Sequence, residues 1–73
     1  MSAAQRHLRA AEIHAVAAEV HDAASRHWTE RGDRQRAELE QRKAVIERGA
    51  AELERERARL ADEYKGAPSR RRP

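Results

Sequence analysis

The chain has 73 residues, of which 38% are hydrophobic, and it contains no cysteine. Disulfides and thiolate metal sites are therefore excluded, and a core in so short a chain rarely supplies more than about 3–5 kcal/mol of net stability. Association with another chain is the remaining way to stabilise such a fold. The alanine-, glutamate- and arginine-rich composition, arranged with helical periodicity, favours long helices or a coiled coil over a disordered chain.

The net charge of +3 comes entirely from Arg70, Arg71 and Arg72, because basic and acidic side chains balance over residues 1–65. A nucleic-acid-binding domain usually carries its basic excess as a patch on the fold, whereas here the excess lies in a tail. No apolar stretch approaches the roughly 20 residues of a membrane span. Arg6, His7 and Arg9 interrupt any signal-peptide core, so we expect a cytoplasmic protein that does not bind membranes.

The first half of the chain repeats every seven residues. Alanine recurs at 3, 10, 17 and 24 and again at 4, 11 and 18, while a separate column holds His7, His14, His21 and Trp28. A seven-residue repeat keeps one stripe of a helix facing a partner helix. Ser2 and Gln5 have the spacing of a capping box. The pattern predicts a helix over about residues 3–31.

Gly32 and Asp33 predict a turn at the middle of the chain. Glycine is the preferred residue where a helix ends in a left-handed conformation, and Asp33 is a good N-cap for a following helix. The alternative is one continuous rod, since a glycine inside a helix costs only about 1 kcal/mol. The change in the phase of the repeat at Gly32 favours an antiparallel hairpin.

The second half predicts a helix over about residues 34–65. Its repeat places one alanine column at 37, 44, 51 and 58 and a larger apolar column at Leu39, Ile46, Leu53 and Leu60. Gly66 and Pro68 would end the helix, since proline cannot continue it. The hairpin should therefore occupy residues 1–66, followed by a disordered basic tail at residues 67–73.

The larger apolar residues suggest which surfaces of the helices meet. We predict that a stripe of mixed size on the first helix packs on the Leu39 column of the second, with each residue i opposite roughly residue 65 − i. The first stripe comprises Ala10, Ile13, Ala17, Val20 and Ala24; the second comprises Leu39, Ile46, Ala50, Leu53 and Leu60.

The remaining alanine columns would then form a second, outer packing face that joins two hairpins into a homodimeric four-helix bundle. We take as candidate interaction residues Ala11, Ala18, Ala44, Ala51, Ala58 and Trp28. Trp28 would cover the open end of the hairpin beside the turn, or anchor a protein partner, since tryptophan is enriched in binding hot spots.

The histidine column is the unusual polar feature. His7, His14 and His21 are two turns apart, or about 10.5 Å along the helix, which is too far for two of them to share a metal ion with bonds near 2 Å. We expect them to flank the seam between the helices with their polar tips in water. The alternative is a metal or pH sensor completed by another helix.

Motifs of enzymes and cofactor sites are absent from the sequence: there is no phosphate-binding loop, cysteine nucleophile or H-E-x-x-H zinc motif. We expect no cofactor and no catalysis. The architecture resembles the small antiparallel RNA-binding dimers of the Rop type, a resemblance that implies a shape and no function. The favoured function is self-association with docking of a protein partner. The alternative is weak nucleic-acid binding through Arg70, Arg71 and Arg72.

Overall fold

The computed structural model describes the backbone of residues 1–65 and the side chains of residues 1–62. It contains two α-helices, α1 (Ala3–Glu30) and α2 (Arg34–Lys65), which pack against each other as a hairpin. The predicted all-helical hairpin is thus confirmed. The region of the predicted tail, including Arg70, Arg71 and Arg72, lies outside the described residues.

Local hydrogen bonds fix the start of α1 as the sequence predicts. The Ser2 hydroxyl accepts a hydrogen bond from the Gln5 amide at 3.1 Å, and the Gln5 side chain accepts one from the Ser2 amide at 2.9 Å. This capping box satisfies amide groups that have no partner within the helix.

The turn is built on a left-handed glycine. Gly32 has φ +79°, and its amide donates to the Thr29 carbonyl while the Asp33 amide donates to the Trp28 carbonyl at 2.9 Å. These two bonds form a Schellman motif, which ends α1. Asp33 then caps α2 by accepting from the Arg36 amide at 3.0 Å. The chain therefore reverses over three residues.

The seam between the helices is made of small side chains. The buried residues are Ala4, Ala11, Ala18, Ser25, Ala37, Ala44, Ala51 and Ala58, each between 1% and 7% exposed. They are spaced seven apart on both helices, and among the described residues no large hydrophobic side chain is buried with them. The Ser25 hydroxyl lies inside the seam, where it donates a hydrogen bond to the Ala37 carbonyl at 2.9 Å.

The predicted assignment of the two packing faces was wrong. The alanines expected on an outer face, including Ala11, Ala18, Ala44, Ala51 and Ala58, lie between the helices, and the larger apolar residues expected in the seam are exposed. Side chains as small as alanine let two helix backbones approach closely, whereas leucine and isoleucine would hold them apart. Close approach also allows polar side chains beside the seam to bond across it.

The register, meaning which residues of α1 and α2 lie opposite each other, also differs from the prediction. Ser25 bonds to Ala37, so seam residues whose numbers add to about 62, rather than 65, lie opposite each other. By this register Ala18 lies beside Ala44 and Ala11 beside Ala51. The prediction placed the turn correctly, but its register assumed a fold centred between Gly32 and Asp33, and the observed register is about three residues different.

Candidate functional site: a histidine–glutamate ladder beside an aliphatic face

Three histidines of α1 bond to three glutamates of α2. The Nδ1 atoms of His7, His14 and His21 lie 2.7, 2.6 and 2.7 Å from the Oε1 atoms of Glu54, Glu47 and Glu40, respectively. We call this set of three pairs the ladder. The predicted position of the histidines beside the seam is correct, but their polar tips bond across the seam in addition to meeting water.

The alanine seam positions the ladder. Each ladder histidine follows a seam alanine by three residues on α1, as His14 follows Ala11, and each ladder glutamate does the same on α2, as Glu47 follows Ala44. Residues three apart on a helix are neighbours on its surface. Both columns therefore emerge on the same side of the hairpin, at the same spacing, where each imidazole reaches a carboxylate.

The chemistry of the pairs fixes the donor. An ionised carboxylate can only accept hydrogen bonds, so each histidine Nδ1 carries the hydrogen and donates. The second ring nitrogen, Nε2, is left for water or for another group, since the three imidazoles remain 26% to 36% exposed.

The carboxylates at the two ends of the ladder are stabilised in their charged form. The hydrogen bond from His21, supported by Lys43, lowers the pKa of Glu40 below its ordinary value of 4.5. The hydrogen bond from His7, supported by Arg57, lowers the pKa of Glu54 in the same way. Partial burial acts in the opposite direction in both cases and is outweighed.

The ladder is a series of separate pairs rather than a metal cluster. Within the described part of the chain, no three His, Cys, Asp or Glu side chains converge as the ligands of a metal ion do. Successive ladder histidines remain two turns apart, as their spacing in the sequence requires.

An exposed apolar surface borders the ladder. On α1, Ala10 and Ala17 lie one turn before and after His14, and Ile13 lies one turn from both alanines. On α2, Ala50 follows Glu47 by one turn and lies beside Leu53. The large residues next to these alanines, which we call the aliphatic face, form one column on each helix, on its surface away from the seam. They are Ile13, Val20, Leu39, Ile46, Leu53 and Leu60, and they are between 47% and 69% exposed.

The other side of the hairpin is mainly polar. Arg48 of α2 pairs there with Asp22 of α1, and the exposed charged residues Glu12, Glu19, Glu38 and Glu52 lie on the same side. Leu8, Val16 and Val45 are the large apolar residues on this surface, 50%, 62% and 66% exposed. Single exposed apolar residues are ordinary, but a column of them that recurs every seven residues along each helix is not.

Trp28 lies at the turn end of the histidine column and is partly buried. The Arg36 guanidinium lies 5.1 Å from its ring centroid, and the His27 ring meets it edge-on at 5.1 Å. A cation within about 6 Å of an indole ring is attracted to it. Trp28 therefore covers the end of the hairpin with partners next to the turn.

The sequence did not lead us to the glutamates of the ladder, and we assigned the seam between the helices to the wrong columns of residues. A signal for the glutamates was present, since Glu40, Glu47 and Glu54 recur every seven residues, as His7, His14 and His21 do. Two such columns, each three residues after an alanine column, indicate cross-helix pairs if the alanines form the seam. Choosing the larger residues as the seam concealed this pairing.

Comparisons with known proteins place the chain in no family: no family model, curated protein or solved structure matches it. Neither helix, over the part of the chain that the structure describes, is long and apolar enough to span a membrane.

Proposed function

We propose that this chain is a small, non-enzymatic helical interaction module that works by self-association. Two hairpins would pack through their aliphatic faces to form a four-helix bundle, whose heptad-spaced layers resemble those of a coiled coil. The observation that carries the proposal is the distribution of burial: alanine fills the seam, while large aliphatic residues that recur every seven positions are exposed on both helices.

The weak core of a single hairpin supports this proposal. Complete burial of a leucine or isoleucine side chain contributes about 1.5–3 kcal/mol, and an alanine side chain contributes much less. A seam of seven alanines and one serine therefore provides little hydrophobic stabilisation for ordering two long helices, although most helical stability in proteins comes from such tertiary packing. Covering the aliphatic face would supply the missing apolar burial.

The dimensions of the face suit a second copy. Helix α1 has 28 residues and is about 42 Å long, and two adjacent helices with their side chains are roughly 20 Å wide. Such a face offers about 800 Å² on each partner, the size of a standard stable interface. A two-fold axis would bring the same face of each copy together, as in most homodimers.

Sedimentation equilibrium of matched variants tests this proposal. Ile46→Glu places a charge on the aliphatic face, whereas Val45→Glu places it at a neighbouring, equally exposed position on the polar side. The pair Ile13→Glu and Val16→Glu repeats the comparison on α1, where both residues are 62% exposed. We expect the wild type and the two valine variants to be dimers at tens of micromolar, and the two isoleucine variants to be monomers.

A wild-type protein that sediments with the monomer mass of 8.4 kDa at several hundred micromolar would refute self-association. The aliphatic face would then be a candidate binding surface for a different protein. Equal effects of the paired substitutions would place the interface elsewhere. The nucleic-acid alternative rests on Arg70, Arg71 and Arg72 alone, because the charges of residues 1–65 balance. Its support would be salt-sensitive binding that is lost when residues 67–73 are deleted.

A further inference from the structure

The middle pair of the ladder lacks a cation that both outer pairs have. Lys43 lies 3.3 Å from Glu40, and Arg57 lies 3.2 Å from Glu54. Ala50 occupies the equivalent position beside Glu47, halfway between Lys43 and Arg57 in the seven-residue repeat. Among the ion pairs of the described residues, Glu47 is joined to His14 alone.

The surroundings of His14 and Glu47 are otherwise apolar on both helices. The neighbours one turn away on this side or next to the pair in the seam are Ala10, Ala11, Ala17, Ala18, Ala44, Ala50 and Ala51, together with the charged Lys43, which precedes Glu47 by four residues. The nearest charged residues on α2 are Lys43, which is directed to Glu40, and Arg48, which pairs with Asp22 on the opposite side. On α1, His7 and His21 are two turns away, about 10.5 Å.

We propose that self-association takes up a proton at the His14–Glu47 pair, so that this pair favours the dimer more strongly as pH falls towards 6. This inference rests on the proposed dimer through the aliphatic face. With neutral His14, the pair carries one negative charge, and burying an uncompensated charge in an interface is costly. One added proton makes the pair neutral as a whole, whether the proton is held mainly by the imidazole or by the carboxylate.

The outer pairs do not share this requirement. With a neutral histidine, the negative charge of Glu40 is balanced by Lys43 and that of Glu54 by Arg57, so each group of three is already neutral. A proton on His21 or His7 would give its group a positive charge, so the outer pairs oppose dimerisation in acid. The middle pair also lies farthest from the ends of the ladder, between Ile13 on one helix and Ile46 on the other. It would be the most completely desolvated when a second copy covers the face.

The size of the effect follows from linkage. Each copy contributes one pair, so a dimer takes up at most two protons, and its Kd changes by at most about 100-fold per pH unit. Histidine ordinarily titrates near pH 6.5, so the change should fall between pH 8 and pH 6. We expect the contribution of the middle pair, measured as the Kd of the wild type divided by that of a Glu47→Gln variant, to decrease at least about tenfold across this range.

The experiment measures the Kd of the full chain by sedimentation equilibrium at pH 8, 7 and 6 at constant ionic strength. Glu47→Gln keeps an acceptor for the His14 Nδ1–H group but removes the charge, so this variant should bind more tightly than the wild type at pH 8 and should not bind more tightly on acidification. Glu54→Gln is the matched control. It should retain the pH dependence of the wild type, because it leaves the middle pair intact.

The outcomes separate the two proposals. A wild-type Kd that, divided by the Kd of Glu47→Gln, is constant with pH or increases on acidification would overturn the proton uptake while leaving self-association in place. A monomer at every pH would overturn the proposed function and this inference with it. Retention of the full pH dependence in Glu47→Gln would show that the proton binds elsewhere. Circular dichroism of each variant at the same pH values checks that the helices are intact.

Discussion

Among individual residues, the capping and ladder carboxylates respond most directly to their surroundings. Asp33 accepts bonds from the backbone amide and then the guanidinium of Arg36, which lower its pKa below 3.8. Glu40 and Glu54 have lowered pKa values because a histidine of the other helix donates to each of them. Unlike Asp33, the carboxylates of Glu40 and Glu54 each bond to a residue of the other helix, so their titration reports on the packing of α1 against α2.

The lowered pKa values of Glu40 and Glu54 predict a loss of stability in acid. A carboxylate whose pKa is lower in the folded state stabilises the fold above its unfolded pKa, here about 4.5, and this contribution is lost as pH falls through the folded pKa. We expect the melting temperature to fall below pH 4.5, measured by circular dichroism. The double variant Glu40→Gln/Glu54→Gln should melt lower than wild type at pH 7 and change less below pH 4.5.

The matched control for this experiment is Glu12→Gln, which changes an exposed carboxylate on the polar side of α1. It should follow the wild-type curve. If the double variant loses as much stability in acid as the wild type does, the loss arises from carboxylates other than those at the ends of the ladder.

At the level of the helices, the local sequence determines the ends of each element well. Ser2 and Gln5 form the predicted capping box, and Gly32 has the left-handed conformation that the turn prediction required. These features depend on a few adjacent residues, so the sequence contains the whole of their physical cause. The choice of seam could not be read in this way, because a hairpin that packs through Ala18 and Ala44 and one that packs through Val20 and Ile46 both satisfy the seven-residue repeat.

The two glycines of the described chain offer opposite tests of helix formation. Gly32 has positive φ, and an added Cβ would meet no atom within 4 Å, so Gly32→Ala should destabilise the fold by about 1–2 kcal/mol through backbone strain alone. Gly49 is inside α2 with equally open surroundings. Gly49→Ala should stabilise the protein by about 0.5–1 kcal/mol, because alanine favours the helix.

Both changes can be measured as free energies of unfolding by urea denaturation at one protein concentration. Each glycine variant is the control for the other, since both add one methyl group into open space. Destabilisation by Gly49→Ala would mean that this part of α2 contacts another chain. A neutral Gly32→Ala would mean that the turn changes its conformation to accept a side chain.

At the level of the whole molecule, the small and the large apolar residues occupy different surfaces. Alanine holds the two helices close enough for the His–Glu bonds to form, while the larger residues remain on an outer face. If the seam were the only packed surface, leucine and isoleucine in it would stabilise the fold more than alanine does, since they bury more apolar area. The division is therefore consistent with a second layer of packing, which is the basis of the proposed four-helix bundle.

Enlarging a seam alanine tests which columns join α1 to α2. Ala44 is 1% exposed, so Ala44→Leu should force the helices apart, weaken the bonds of the ladder, and destabilise the protein by about 1–3 kcal/mol. Leucine and alanine have similar helix propensities, so a loss reports on packing between helices. For a domain of 60–100 residues this corresponds to a decrease of roughly 4–8 °C in melting temperature per kcal/mol.

Ala23→Leu, at an exposed position of α1, should have little effect. An Ala44→Leu variant that melts higher than wild type would show that the helices meet through the aliphatic face and that Ala44 lies on an outer surface.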